Sequence, residues 1–140
     1  MRQVEYLFDA LGCTPPEALD EGVEGCLDRL VHELDLHVRE RMVVRFLPQG
    51  TTVCYVLEES HLVAHTYPEH SLLTLNLYKC SGGLLPTQLL RVVEVLREMF
   101  HPSTVRWHRV DRGGAAGKGG GEYDRQEEVV ERCQDPALSK

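Results

Sequence analysis

No apolar run in this chain approaches the roughly 20 residues that a membrane-spanning helix needs. The first twelve residues, MRQVEYLFDALG, carry acidic side chains within their apolar part and lack a signal-peptide core. A cytoplasmic location is the expectation. An excess of positive charge is also missing. The formal net charge is −7, which argues against non-specific nucleic-acid binding, because that needs a basic surface. The acidic balance is compatible with a cationic substrate or product, as it is in many ordinary cytosolic proteins. Paired cysteines are absent too. The five cysteines, Cys13, Cys26, Cys54, Cys80 and Cys133, are odd in number and form no C-x-x-C pair. Neither a disulfide framework nor a zinc knuckle is indicated.

What is present suits one folded unit. A chain of 140 residues, 42% hydrophobic and 26% charged, can bury a single core. QVEYLFDAL at 3–11 reads as a first strand, with a short helix as the alternative. Thr14 is a candidate helix N-cap, and Pro15 and Pro16 suit a first helical turn. Leu19, Val23, Cys26, Leu27, Leu30, Val31 and Leu34 then recur at three- and four-residue spacing, one apolar stripe of an amphipathic helix. Gly22 and Gly25 weaken that helix locally beside the stripe. From about 38 to 80 the period changes to two. RMVVRFL, TTVCYVLEE, SHLVAHTY and SLLTLNLYKC read as strands, with Pro48-Gln49-Gly50 and Ser81-Gly82-Gly83 as breaks. A second helix is predicted from Pro86 to His101-Pro102, with Leu89, Leu90, Val93, Leu96 and Phe100 on its apolar face. VRWHRV is a last strand. The implied fold is α+β, a two-layer sandwich of a mainly antiparallel sheet with helices on one face. A domain over 1–112 is followed by a glycine-rich, charged tail over 113–140, expected to be mobile. Gly117-Lys118 in that tail lacks the spacing and the following Ser or Thr of a phosphate loop.

The segment EESHLVAHTYPEH at 58–70 is unusually rich in titratable groups for a half-buried strand. A metal site on its histidines fits poorly. His61 and His65 stand four apart, about 13 Å on a strand, which is too far for two ligands at about 2 Å from one zinc. A serine hydrolase fits poorly as well, because Ser60 lacks the G-x-S-x-G turn that lifts a nucleophile out of a strand. The plainer reading is an exposed strand with ordinary polar residues. Taken singly, His65 reads as a sheet histidine, Cys80 as a buried thiol and Glu69 as a solvated carboxylate.

The residues taken together read differently. Glu59-Ser60-His61, His65-Thr66-Tyr67-Pro68-Glu69 and Cys80 before Ser81-Gly82, with Phe46-Leu47-Pro48-Gln49-Gly50 and Thr52 upstream, closely resemble the prokaryotic-type S-adenosylmethionine decarboxylase family over about residues 4–110. The resemblance implies a chain that cuts itself between Glu59 and Ser60, leaving 1–59 as the β chain and 60–140 as the α chain. Ser60 would become a covalent pyruvoyl cofactor, which forms a Schiff base with the substrate amine and accepts electrons as carbon dioxide leaves. By the same resemblance His65 is the processing base and Thr52 supplies the processing hydroxyl. Cys80 is the proton donor, and Phe46, Tyr67 and Glu69 bind the adenosyl substrate. No metal is implied. The product would feed spermidine synthesis.

Geometry adds one constraint of its own. On a straight strand Ser60 and His65 lie about 16 Å apart and on opposite faces. Either the chain folds sharply between them, or a second protomer supplies one of them. The resemblance implies sites at a dimer interface, so a homodimer of αβ protomers with two shared sites is expected. The chain departs from the family pattern at several positions: Thr52 for serine, Val53 for glycine, Val44 for histidine, Tyr67 for tryptophan and Asn76 for aspartate. None removes a required group. They leave two alternatives beside the adenosyl substrate: a pyruvoyl-dependent arginine or ornithine decarboxylase, or a non-processing partner subunit. Phe46 and Glu69 favour the first reading.

Overall fold

The computed structural model describes residues 2–113. The predicted tail beyond Gly113, including Gly117-Lys118 and Cys133, lies outside the described residues. The elements run β1 (Gln3–Leu11), α1 (Ala18–Glu33), β2 (Val38–Arg45), β3 (Thr51–Leu57), β4 (Ser60–Tyr67), a 3-10 turn (Pro68–His70), β5 (Leu72–Lys79), α2 (Pro86–Phe100) and β6 (Thr104–Arg112). The strands form one six-stranded sheet in the order β2-β3-β4-β5-β1-β6, and every neighbouring pair is antiparallel. Both helices cover the same face, so the two-layer α+β sandwich is observed as expected.

Alternation builds the inner layer. Val4, Tyr6, Phe8 and Ala10 of β1, Val53, Tyr55 and Leu57 of β3, Leu62 and Ala64 of β4, and Leu73, Leu75 and Leu77 of β5 all point into one core with the helices. Each large apolar side chain so buried contributes about 1.5–3 kcal/mol before the entropy of ordering it. The predicted stripe of α1 is the buried one: Leu19, Val23, Cys26, Leu27 and Leu30.

Three details differ from the sequence reading. Thr14 does not cap α1, whose cap is Glu17. The Thr14 N–H donates instead to Phe100 O at 3.0 Å, tying the approach to α1 to the end of α2. The buried face of α2 is rotated from the predicted one: Val92, Val95, Leu96 and Phe100 face the core, while Leu90 is 54% exposed. A row of 92, 96 and 100 at four-residue spacing tracks the sheet better than one through 90. Gly22 is also more than a weak point in α1. A Cβ there would stand 2.9 Å from Phe100 Cε1, so the missing side chain lets the two helices approach.

Among the described residues no helix packs on the other face of the sheet, although that face is not wholly polar. Met42, Val44 and Val56 are 63%, 39% and 46% exposed on it. Leu7, Val63, His61, His65 and Asn76 share it, as their registers require. Among the described residues, no helix is long and apolar enough to cross a membrane.

Candidate active site

The predicted site residues fall into two groups. The first lies at the β3–β4 hairpin. Leu57 pairs with Ser60, so Glu58 and Glu59 alone make the turn. So tight a connection requires a left-handed residue, usually Gly or Asn, and here Glu59 takes that role at φ 60. An L-residue with a Cβ gives up about 1–2 kcal/mol in that region. The peptide bond that follows Glu59 is the predicted cleavage point. The thiol of Cys80, just past β5, donates to the Glu59 carbonyl with Sγ···O at 2.5 Å. The Ser60 hydroxyl donates to Glu58 O at 3.3 Å.

Several contacts hold this group in place. β2 shifts register between Val38 and Glu40. Arg39 therefore leaves the ladder and sets its guanidinium 3.5 Å from the Glu58 carboxylate. The loop after Cys80 is pinned where Gly82 N–H donates to Arg2 O at 2.9 Å and Leu84 N–H to the Tyr6 hydroxyl at 2.8 Å. Any side chain at Gly83 would stand 2.6 Å from that hydroxyl. A cavity of about 900 Å³ opens here, lined by Glu59, Ser60 and Cys80 together with His37, Arg39 and Lys79. Those three basic residues were not singled out from the sequence. Only the tertiary packing brings them to the hairpin.

The second group lies at the opposite end of β3 and β4. Thr52 and His65 are cross-strand partners, with Thr52 Oγ1 2.8 Å from His65 Nδ1. The Tyr67 ring follows on the same face, its centroid 6.5 Å from that of His65. The turn from β2 to β3 closes where Phe46 N–H donates to Gly50 O at 2.8 Å, and it presents Phe46 to solvent at 52% exposure. Gln49, from the same turn, donates to the Glu69 carboxylate at 3.1 Å. Thr52, His65 and Tyr67 thus share one end of the sheet with Phe46 of the β2–β3 turn and Glu69 of the 3-10 turn, and Gln49 joins Glu69 there. Nothing in its sequence position marked Gln49 as an orienting group.

The two groups do not meet within one protomer. β4 runs from Ser60 to Tyr67 in unbroken register with both neighbours, so the chain does not fold back between Ser60 and His65. Five residues of strand separate them by about 16 Å. Between the groups, His61 leans on Tyr78, with ring centroids 5.3 Å apart. A depression of about 380 Å³ beside it is lined by Leu7, Asp9, His65, Asn76 and His108. Asn76 Nδ2 donates to Glu5 at 2.8 Å. Its Oδ1 is the one buried side-chain oxygen or nitrogen among the described residues that has no hydrogen-bond partner.

A two-layer α+β sandwich with a strained Glu-Ser hairpin beside a thiol defines a class of small protein with a group of polar candidate residues at each end of one strand. Comparison with known proteins narrows the class. A family model described as S-adenosylmethionine decarboxylase matches residues 4–113. The chain is similar to the S-adenosylmethionine decarboxylase proenzyme of Archaeoglobus fulgidus, 27% identical over 69% of this chain and 83% of that one. It is 33% identical to S-adenosylmethionine decarboxylase proenzyme 2 of Bacillus anthracis over 60% of this chain and 68% of that one. The Geobacillus kaustophilus proenzyme is 42% identical over 54% and 58% of the two chains. The crystal structure of the adenosylmethionine decarboxylase from Aquifex aeolicus superposes with a TM-score of 0.68 over 86% of this chain and 98% of that one. At 23% identity it shows a common fold. The chain belongs to the S-adenosylmethionine decarboxylase family.

Proposed function

We propose that this chain is the precursor of a pyruvoyl-dependent decarboxylase that acts on S-adenosylmethionine and cuts itself between Glu59 and Ser60. The observation that carries the reading is the hairpin: a left-handed Glu59 whose carbonyl already accepts from Cys80, followed by a serine. The relatives' name, proenzyme, suits a chain made in precursor form.

The residues present suit that chemistry. A donor on the Glu59 carbonyl polarises it towards attack by the Ser60 hydroxyl. Attack forms the Glu59–O–Ser60 ester as the peptide C–N bond breaks and the amine takes a proton. Removal of the Ser60 α-proton then expels Glu59 as a free carboxylate. Water hydrolyses the remaining dehydroalanine, by way of its imine, with loss of ammonia. The new amino-terminal ketone supplies an electrophile for the substrate amine and a sink for the electrons freed when carbon dioxide leaves. His65, held by Thr52, is the base for the α-proton. Cys80 returns a proton to the substrate carbon, a step for which its S–H is a suitable donor. Phe46 and Tyr67 offer aromatic faces to the adenine and the sulfonium, and Glu69 accepts from the ribose hydroxyls.

These roles need both groups in one place, and a second copy supplies the missing half. Two uncovered faces stacked about a two-fold axis perpendicular to the strands bring the hairpin end of one copy over the His65 end of the other. Two sites result, each with Ser60 and Cys80 from one protomer and Thr52, His65, Phe46, Tyr67 and Glu69 from its partner. The exposed Met42, Val44 and Val56 favour such burial, and the unsatisfied Asn76 oxygen calls for a donor from outside the chain. A small intracellular substrate suits the cytoplasm.

Intact mass and a denaturing gel test the reading: fragments 1–59 and 60–140, the latter carrying a ketone that hydrazine traps, are expected. Carbon dioxide release from labelled S-adenosylmethionine, arginine and ornithine then selects the substrate. A folded chain that stays whole supports a partner subunit instead. Cys80→Ala should slow cleavage, and in the chains that do cleave it should raise abortive transamination, read as loss of the trappable ketone during turnover.

A further inference from the structure

We infer that Asp20 is a positioning residue for the Thr52–His65 pair and the Phe46-bearing turn, acting from the helix layer on the far side of the sheet. The inference rests on the proposed part of that pair in self-cleavage. Asp20 stands in the first turn of α1. Its carboxylate collects three hydrogen bonds. Thr51 Oγ1 and Thr66 Oγ1 donate to Oδ1 at 3.0 and 2.5 Å, and Gly50 N–H donates to Oδ2 at 3.0 Å. Thr66 Oγ1 also accepts from Thr51 N–H at 2.8 Å, which closes the network. Burial alone would raise the Asp20 carboxyl, but the donors from Thr66, Gly50 and Thr51 outweigh it and hold the group below the usual carboxylate range.

The placement matters because of strand geometry. Consecutive side chains point to opposite faces. Thr51 and Thr66 point inward, 2% and 3% exposed, and are the two buried polar side chains among the described residues. Each shares a backbone with an outward-facing site residue: Thr51 with Thr52, and Thr66 with both His65 and Tyr67. Gly50 closes the turn that presents Phe46. One carboxylate thus sets the relative position of three chain segments that meet again on the far face. Apolar residues at 51 and 66 would fill the same inner positions without tying these segments to α1. A fully satisfied polar network fixes one arrangement where apolar packing tolerates several. α1 also offers a control. Asp28 accepts from the Tyr55 hydroxyl at 2.6 Å, a similar helix-to-sheet clip, but the neighbours of Tyr55 have no site role.

The test follows self-cleavage of the full chain after cell-free synthesis, by gel and intact mass, with Tm measured on each variant. Asp20→Asn and Thr66→Val should each slow cleavage by about ten- to hundredfold, the loss expected when reacting groups are slightly misplaced. Thr66→Ser keeps the hydroxyl and should remain within about threefold of wild type, and Asp28→Asn within about twofold, at a comparable loss of Tm. The Asp20→Asn/Thr66→Val double variant should be no slower than the worse single variant, because both break one network. Wild-type cleavage in Asp20→Asn overturns the inference. So does slowing in Asp28→Asn equal to that in Asp20→Asn, or Thr66→Ser as slow as Thr66→Val. If Asp20→Asn does not fold, the Thr66 pair decides. A wild-type chain that stays whole removes the underlying reading of the site, whereas a cleaving wild type with an unaffected Asp20→Asn removes this inference alone.

Discussion

The proposed splitting of the site between protomers can be tested by a mixing experiment. Ser60→Ala removes the hydroxyl at the hairpin end, and His65→Ala removes the base at the other. On that proposal, neither homodimer contains a whole site. In a heterodimer, one of the two sites combines Ser60 of the His65→Ala chain with His65 of the Ser60→Ala chain, and the other site lacks both. Random pairing of equal amounts makes about half of the dimers mixed, so about one quarter of the sites are restored. The cut chains identify themselves. Every 60–140 fragment must carry the His65→Ala substitution, because only that chain retains a serine to cleave. The two chains are coexpressed with different tags, and fragments are weighed by intact mass against each homodimer as the zero. Substituted fragments near one quarter of total chain support the shared site. Coexpression that yields dimers of both tags but no such fragment refutes the reasoning. It would mean that Ser60 and His65 cooperate within one chain, despite the unbroken strand that keeps them about 16 Å apart.

Three further outcomes follow from the packing. Gly22→Ala should destabilise by about 1–2 kcal/mol, as overpacking against Phe100 outweighs better helix propensity. Gly25→Ala has nothing within 4 Å of its new Cβ and should stabilise by up to about 1 kcal/mol. Urea midpoints measure both signs, and equal signs would refute the contrast. Glu59→Gly, made in the Ser60→Ala precursor so that cleavage does not intervene, should stabilise by about 1 kcal/mol through relief of the left-handed turn. A lowered Tm would remove strain from the account of the hairpin. Asp20 supplies a pH test. Its folded pKa is depressed, so its contribution is complete above the unfolded carboxyl value of about 4 and is lost as pH falls through the folded value. The Tm gap between wild type and Asp20→Asn should therefore be constant near neutrality and shrink at acid pH. A gap independent of pH down to about 3, below the unfolded carboxyl value, would show that the charge of Asp20 contributes nothing.

Much of the fold was legible in the sequence because period maps directly onto burial. Alternation in TTVCYVL and SHLVAHTY predicted strands whose inner residues are those found in the core. The stripe of α1 was equally plain. The errors came where a partner outside the window decides. The face of α2 turned on which neighbours it met, so Val92 and Val95 displaced Leu90 from the predicted row. Thr14 looked like a cap, but its hydroxyl is directed to the His101 carbonyl, far along the chain. Asp20 carried no local signal at all, since its donors lie 30 to 46 positions away.

The residues at 46, 52, 59–60, 65–69 and 80 were enough to indicate a family, because their identities and separations agree together, and their roles in the chemistry are what that resemblance implies. Where those groups stand was a different matter. The rise of an extended strand carries Ser60 and His65 to opposite ends of β4, and the register with β3 and β5 leaves no bend to reunite them. Only the tertiary structure could divide one apparent cluster into two separate groups, because strand direction and neighbour pairing, rather than nearness in the chain, decide what reaches what.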